Sequence, residues 1–340
     1  MMKLVFFGAG AVGASVGGWI AEKHEEVYFV DKPEIVDRLR EDGVTFYQQG
    51  EEKRAVNVKV KAACDISEIE DPDVVVVSVK NYSLDPVARM LKDKVGDLPI
   101  IVALQNGVEN QKILPKYFSR VLYGVICYNA WLDKPGTVGF QKRGPIVLGA
   151  LDDEMKFEAK MVARVFNKGV ETIVTPHIQD AAHSKIIINL TNSLTTLVGH
   201  KFREISDPAL FQKLLTNLTY EGVRVVKAAG YGECKLGGMP SWMVMEMATK
   251  LPPFISKPIF DKNVKKMVVS SMAQDIIQRG GGDSELDTIN GRIIELADQF
   301  GVDIPYNRAV FKMCKAEFAK PKFEPLDVRD VWAEVSKNIR

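Results

Sequence analysis

The chain begins with Lys3-Leu4-Val5-Phe6-Phe7 running straight into Gly8-Ala9-Gly10-Ala11-Val12-Gly13, and this junction restricts the fold more than any other stretch. The apolar run reads as a buried strand, and Ala14, Val16, Trp19 and Ile20 then follow at helical spacing. Between a strand and a helix, each glycine of a Gly-x-Gly-x-x-Gly has its own task. Gly8 permits the tight turn, Gly10 leaves the volume a pyrophosphate needs, and Gly13 lets the helix close on the strand. The amides of Gly10, Ala11 and Val12 then fall at a helix N-terminus, where partial positive charge favours phosphate. A second short strand, Val27–Val30, ends at Asp31, the place where a carboxylate meets the adenosine ribose. This context predicts a Rossmann dinucleotide site, with Gly8, Ala9, Gly10, Ala11, Val12 and Gly13 as cofactor-binding residues.

The 340 residues suggest two domains, and 46% hydrophobic with 26% charged residues is the composition of a chain that buries a sizeable core. A net charge of +1 gives no electrostatic reason to expect nucleic acid or an anionic membrane as partner. Cys64, Cys127, Cys234 and Cys314 lie far apart with no metal-ligand spacing, so no metal is expected. Reduced, mostly buried thiols suit a cytoplasmic protein. The start reads as a strand and not as a signal peptide, and no apolar run reaches the length of a membrane span.

Further along, 33–40 has helical spacing and 44–60 reads as a polar-tipped hairpin around Gln49-Gly50-Glu51. Residues 73–79 form a near-continuous β-branched run, as in a parallel sheet covered on both faces, and Lys80 follows at once. A helix over 84–95 and a buried strand over 99–104 lead to Gln105-Asn106-Gly107. Alternating strands and helices predict right-handed crossovers and a doubly wound α/β sheet, whose ligands bind past the carboxyl ends of the strands. Gly10, Lys80 and Asn106 all fall at such ends. Two longer strands are expected over 121–132 and 137–148, then a helix over 154–166 and a strand over 171–174. Beyond Pro176 only helical periods appear, clearest over 182–198, 210–229, 264–278, 286–300 and 307–318. Gly237-Gly238, Pro252-Pro253 and Gly280-Gly281-Gly282 punctuate them. The reading is a dinucleotide-binding Rossmann domain over 1–176 and an all-helical substrate domain over 177–340.

Two polar constellations stand out in the helical part. Lys185, Asn189 and Asn192 lie at i, i+4 and i+7, within roughly 60° on one helix face, while Ile186, Ile187 and Ile188 lie between them. A Lys and two Asn on a helix otherwise made for a core are costly unless they meet a wet cleft or a ligand. They read either as a site wall, with Lys185 as proton donor, or as a polar stripe toward solvent or a domain interface. The second constellation is Ser270-Ser271-Met272-Ala273-Gln274-Asp275 followed by Asp283-Ser284-Glu285-Leu286-Asp287-Thr288-Ile289-Asn290-Gly291. Ser284 with Asp287 resembles a capping box, which makes helix capping the plainer role for Ser284. Glu285 would sit in the first turn, where the dipole favours a carboxylate.

In this order, the glycine turn, Val79-Lys80, Leu104-Gln105-Asn106-Gly107-Val108, Lys185-x3-Asn189, Ser270-Ser271-Met272-x-Gln274-Asp275 and Glu285-Leu286-Asp287-x-Ile289-Asn290-Gly291 resemble the ketopantoate reductases (2-dehydropantoate 2-reductases). The resemblance runs from residue 3 to about residue 320. It implies a helical C-terminal domain like that of 6-phosphogluconate dehydrogenase. It also implies reduction of a small 2-keto acid to (R)-pantoate in pantothenate and coenzyme A synthesis. By position, Lys185 would be the proton donor. Asn189, Asn192 and Ser271 would contact substrate, and Asn106 both substrate and cofactor. Lys80, Ala130 and Glu285 would be cofactor-side contacts, Glu285 also lying near the lysine.

There are departures. Many members carry the second amide eight residues after the lysine, where this chain has Ser193, and the role passes to the preceding Asn192. Phe202 stands where some members have a further asparagine, and the loop from Ser271 to Glu285 is about two residues longer and rich in glycine. The resemblance implies NADPH as cofactor. Asp31 alone argues for NADH, because a carboxylate repels a 2′-phosphate, while the adjacent Lys32 offers that phosphate a point charge. Acceptance of both cofactors is expected. The alternatives left open are an NAD-dependent D-2-hydroxyacid dehydrogenase of the same architecture and a non-catalytic dinucleotide sensor. A proton-donor lysine speaks against the sensor. Helical domains with an apolar face often dimerise, which makes a homodimer an expectation.

Overall fold

Eight strands hydrogen-bond into one sheet around the strand that precedes the glycine turn. The computed structural model describes residues 1–340 apart from 153, 237–239, 252–256, 259, 263, 265–266, 281–283 and 340. The chain divides into two units, Met1–Ala182 and His183–Arg340.

In the first unit the elements follow in order: β1 (Leu4–Phe7), α1 (Ala11–Ala21), β2 (Val27–Val30), α2 (Pro33–Asp42), β3 (Val44–Gln48), β4 (Val56–Val58), β5 (Lys61–Ala63) and β6 (Val74–Val77). Next come α3 (Leu84–Val95), β7 (Ile100–Ala103), α4 (Asn110–Ile113), β8 (Val121–Ile126), β9 (Ala130–Lys134), β10 (Thr137–Phe140), β11 (Ile146–Gly149), α5 (Lys156–Phe166) and β12 (Thr172–Val174). The large sheet runs β12-β11-β8-β7-β6-β1-β2-β5. From β5 to β8 every pairing is parallel, with Phe6 set between Phe29 and Val76. The strand order reverses at β1, so the crevice beyond β1 is a topological switch point. β11 pairs antiparallel to β8 and carries β12 on its far side.

The helix α1 is buried along its length from Gly13 to Ile20, as expected of a helix that is apolar all round. One flank meets the large sheet, where Phe6 stacks on Phe29 and Phe166 at 5.6 and 6.4 Å between ring centroids. Its other flank meets a second, four-stranded sheet, β4-β3-β10-β9. Trp19 packs edge-on to Phe46 and Phe140 there and tilts against Tyr128 at 5.1 Å. Truncating any of these rings would cost about 3–5 kcal/mol.

The hairpin read over 44–60 is present as β3 and β4, with Val44 opposite Val58. The two long strands expected over 121–132 and 137–148 are each broken. β8 leaves the large sheet at Ile126, and the chain resumes as β9 in the small sheet; β10 and β11 split in the same way on either side of 141–145. The physical reason is that both runs change partners midway. Within the small sheet Gly139 makes room for its partner, since a Cβ there would lie 2.3 Å from the Trp131 indole across the strand pair. An apolar run with one period does not show a change of sheet.

In the second unit, α6 (Ile178–Leu197), which begins before the division, α7 (Pro208–Ala228) and the helices Pro305–Phe318 and Val328–Ser336 share a core of Leu194, Leu197, Phe211, Leu214, Leu218, Val310 and Val331, and α8 (Trp242–Lys250) and the helix Arg292–Phe300 lie outside that cluster. Apart from one bridge between His200 and Arg203, the described residues of this unit form helices, turns and loops. The continuous helix expected over 264–278 is not found. Residues 267–270 are non-helical, and a new helix starts at Ser271 because the Ser270 hydroxyl accepts from the Ala273 amide at 3.1 Å. It continues as a π-helical turn, Gln274–Gln278. Gly237-Gly238, Pro252-Pro253, Gly281-Gly282 and Asp283 lie outside the described residues.

One buried carboxylate holds two of these helices together. Glu221 of α7 is 4% exposed and accepts from the amides of Tyr306 and Asn307 at 3.0 and 2.8 Å, and from the Asn307 side chain at 2.8 Å. It thereby satisfies the free N-terminal donors of helix Pro305–Phe318. Burial nevertheless pushes its carboxyl up from 4.5 to about 7, against these hydrogen bonds. An acid raised in the folded state stabilises the fold fully below its ordinary value, and that contribution is lost as the pH rises through about 7. The wild-type melting temperature should therefore fall by several degrees from pH 4.5 to above 7 relative to Glu221→Gln, since about 1 kcal/mol moves such a midpoint by about 2–4 °C. Parallel thermal melts of both proteins across this range check it; identical profiles would mean that Glu221 does not titrate there.

Candidate active site

The rim past the carboxyl ends of β1, β2, β6 and β7 collects the residues expected to hold a cofactor. Gly8 turns the chain at φ +100°, which a side chain would resist. A Cβ on Gly13 would lie 2.0 Å from the Gly8 carbonyl oxygen and 2.4 Å from the Ser78 hydroxyl, so the helix start is pressed onto the turn. Gly10 differs: it adopts an ordinary extended conformation, and a Cβ there would meet nothing within 4 Å. No side chain caps α1, and its first intrahelical bond runs from Ala14 to the Gly10 carbonyl. Ala11, Val12 and Gly13 thus present the unsatisfied amides of a helix N-terminus next to open space. This is a cradle that fits a pyrophosphate.

Asp31 follows β2, as expected, and has a further role that the sequence does not show. Its carboxylate accepts from the Ala9 amide at 2.6 Å and from the Lys32 amide at 2.8 Å. The Ala9 N–H is thereby directed to Asp31, and the glycine turn is tied to the end of β2. Lys32 is exposed and precedes Pro33, the first residue of α2. Ser78 links β6 to the same turn, donating to the Gly8 carbonyl at 2.7 Å. Lys80 is half-buried just past β6, and Asn106 is half-buried just past β7. Ala130 opens β9 in the small sheet, separated from the end of β8 by Cys127, Tyr128 and Asn129.

In the second unit Lys185 and Asn189 are 8% and 6% exposed, one turn apart on α6. The Asn189 amide nitrogen is buried with no acceptor among the described residues. An orphaned buried donor costs about 1–3 kcal/mol, which is hard to reconcile with a purely structural stripe. Asn192 is half-buried, and its carbonyl accepts from Thr195 and Thr196 at 3.1 and 2.7 Å. Ser193 is fully buried. Its hydroxyl donates to the Leu190 carbonyl at 2.8 Å and accepts from Asn290 at 3.0 Å. The position eight residues after Lys185 therefore serves the core, whereas Asn192 before it is only half-buried.

Ser271 is half-buried in the first turn begun by Ser270, whose hydroxyl also lies 3.3 Å from that of Thr196 on α6. Glu285 is 5% exposed just before the helical turn 286–291, where its carbonyl accepts from Ile289 and Thr288. The capping box expected from Ser284 and Asp287 does not form. Ser284 accepts from the Leu286 amide at 3.4 Å, and the Asp287 carboxylate instead pairs with Lys315 at 2.9 Å. Among the described residues no cluster of His, Cys, Asp or Glu could hold a metal, and no helix is long and apolar enough to cross a membrane.

The two glycines predict opposite phenotypes. Gly10→Val should melt like the wild type and lose dinucleotide binding, because its branches enter only the open cradle. Gly13→Ala should lower the melting temperature, because the new methyl overlaps backbone. Calorimetric titration with NADH and NADPH, paired with thermal melts, checks both. Unchanged affinity in Gly10→Val would remove the turn from the cofactor site.

Comparison with known proteins bears on the whole constellation. Residues 4–153 match the family model described as ketopantoate reductase PanE/ApbA, and residues 177–317 match that of the ketopantoate reductase PanE/ApbA C terminal. The 2-dehydropantoate 2-reductase of Archaeoglobus fulgidus is 28% identical over 320 residues, covering 93% of this chain and 97% of the relative. That of Halobacterium salinarum is 28% identical, covering 91% and 96%. Among solved structures, the PanE/ApbA family ketopantoate reductase of Ralstonia eutropha superposes with a TM-score of 0.73 at 25% identity, covering 94% of this chain and 99% of that one. D-mandelate dehydrogenase, solved with NADH and anilino(oxo)acetate, shares the fold with a TM-score of 0.76 at 22% identity, covering 95% and 100%. With both halves matched in order, the chain belongs to the ketopantoate reductase family of nicotinamide-dependent oxidoreductases.

Proposed function

We propose that this enzyme is a 2-dehydropantoate 2-reductase, reducing the keto group of ketopantoate to (R)-pantoate in pantothenate and coenzyme A synthesis. Residues 1–176 would bind the dinucleotide and 177–340 the keto acid. The observation that carries the reading is the α6 pair: a buried lysine one turn from a buried asparagine whose amide nitrogen has no acceptor among the described residues. Curated relatives of that name across nearly the full length support it.

The bound dinucleotide supplies the hydride, from the nicotinamide ring to the ketone carbon. The protein contributes position and field. As hydride arrives, negative charge grows on the substrate's carbonyl oxygen, and a donor directed at that oxygen lowers the barrier. Lys185, as an ammonium, stabilises this oxyanion and then delivers the proton that completes the alcohol. Asn189 and Asn192 offer neutral donors that orient the keto acid, and Ser271 adds a hydroxyl. Removing a positioned acid of this kind typically costs about 10²–10⁴-fold in rate. Lys185→Ala should accordingly lower kcat by about 10²–10⁴-fold, with dinucleotide affinity nearly unchanged. Steady-state assays with ketopantoate, 2-ketoisovalerate and phenylglyoxylate test both the mechanism and the substrate. Near-wild-type turnover in the variant would make Lys185 structural, and a preference for phenylglyoxylate would favour a D-2-hydroxyacid dehydrogenase.

The cofactor preference rests on Asp31 and Lys32. NADPH is the expectation from the family, and a carboxylate beside a single lysine leaves the 2′-phosphate with little net attraction. The enzyme therefore uses both cofactors, with a weak preference. Lys32→Ala should move the kcat/KM ratio toward NADH, and Asp31→Ala toward NADPH. Because Asp31 also holds the Ala9 amide, Asp31→Ala should raise KM for both, more for NADH. A strong native preference for NADPH that Asp31→Ala leaves unchanged would place the carboxylate's role in the turn alone.

A further inference from the structure

We propose that Asn81 is a positioning residue that fixes the Asn106 loop for dinucleotide binding, an inference that rests on the assignment of Asn106 to the site. The loops leaving β6 and β7 are joined by two side-chain bonds that run in opposite directions. From the β7 side, the Gln105 amide donates to the carbonyl of Val77, the last residue of β6, at 2.8 Å. From the β6 side, the Asn81 amide donates to the carbonyl of Asn106 at 2.7 Å. Asn110 in turn donates to the Gln105 side-chain oxygen at 3.2 Å. Asn81 is 6% exposed and follows Lys80 directly; Gly107 follows Asn106 at φ +81°, so the main chain on that side is held by no regular element.

A loop of this kind has an orientation only if its carbonyls are held. The backbone bond from Leu104 to Val77 ends the ladder, and past it Asn81 supplies the next fixed point. The Asn106 side chain projects from the residue whose carbonyl Asn81 grips. Loss of that grip releases the Asn106 carbonyl and with it the direction in which the Asn106 side chain leaves the main chain. Asn81 therefore acts through Asn106 and touches no reacting atom.

A double-mutant cycle on dinucleotide affinity tests this, using calorimetry with whichever of NADH and NADPH binds the wild type more tightly. Asn81→Ala should weaken binding by about tenfold, the scale of one net hydrogen bond. In the Asn106→Ala background the same change should cost no more than about twofold, because residues that act as a unit are not additive. Should Asn81→Ala prove unfolded in thermal melts, Asn81→Asp keeps the size and loses the donor, and the same pattern is expected. Additive losses, or full affinity in both Asn81 variants, would overturn the proposal. Full affinity in Asn106→Ala would also overturn it, by removing the residue through which Asn81 acts. Failure of the ketopantoate assignment itself would show separately, in the keto-acid assays.

Discussion

The approach of α1 to β1 is the contact on which the rest of the first unit depends. Gly13 brings the helix start so near the turn that its absent side chain would overlap the Gly8 carbonyl. That closeness places the free amides of α1 directly past the end of β1, at the point where the strand order reverses. It also forces the remainder of α1 into the interior. The helix is apolar on every side because it packs between two sheets, with Phe6 and Phe29 toward one and Trp19 toward the other. Ser78 and Asp31 then hold the turn from β6 and β2, so three strand ends share one set of main-chain bonds. The cradle's rigidity comes from its neighbours, since the glycines themselves resist little.

Most of this architecture is legible in the sequence because it rests on local rules. A β-branched run such as 74–77 can only be a strand buried on both faces, and a Gly-x-Gly-x-x-Gly behind an apolar run has few other readings. Strand ends give the rim, which is why the sequence alone places Lys80 and Asn106 just past β6 and β7. What escapes is whatever depends on partners distant in the chain. The break of β8–β9 and of β10–β11 depends on which sheet accepts each half, and no residue in the run encodes that choice by period. The start at Ser271 is a capping decision that competes with a good apolar period upstream, and the cap prevails.

The candidate site residues divide along the same line. Their identities are visible as polar groups out of place on apolar elements, but the groups that hold them are not. Asn81 is one asparagine after a strand, Ser193 one serine on a helix, and neither spacing nor composition separates them from solvent-facing polar residues. Asp287 shows the converse: its spacing from Ser284 fits a capping box, yet Lys315, remote in sequence, takes its carboxylate. Resemblance to a family proposes which positions carry chemistry, because the order of motifs survives where local spacing shifts. It does not recover how this chain replaces the amide it lacks at Ser193.

Among the described residues the second unit carries three fully or nearly buried asparagines with an unsatisfied atom, and they are not equivalent. Asn307 gives its nitrogen to the Leu218 carbonyl and the Glu221 carboxylate and leaves only an oxygen without partner. Asn290 uses its nitrogen on the Ser193 hydroxyl and leaves only an oxygen without partner. Asn189 leaves its nitrogen. Under-satisfied carbonyl oxygens are tolerated inside proteins far more readily than orphaned N–H groups. Asn290 is thus explained by the bond that it makes, and a structural role accounts for it. For Asn189 no acceptor is present among the described residues, and the proposed function would supply one: beside a lysine on the same face an anionic ligand gains most. Under that proposal a carboxylate next to a carbonyl, the shared feature of every 2-keto acid, would supply both the anion for the pair and the oxygen that a proton donor needs.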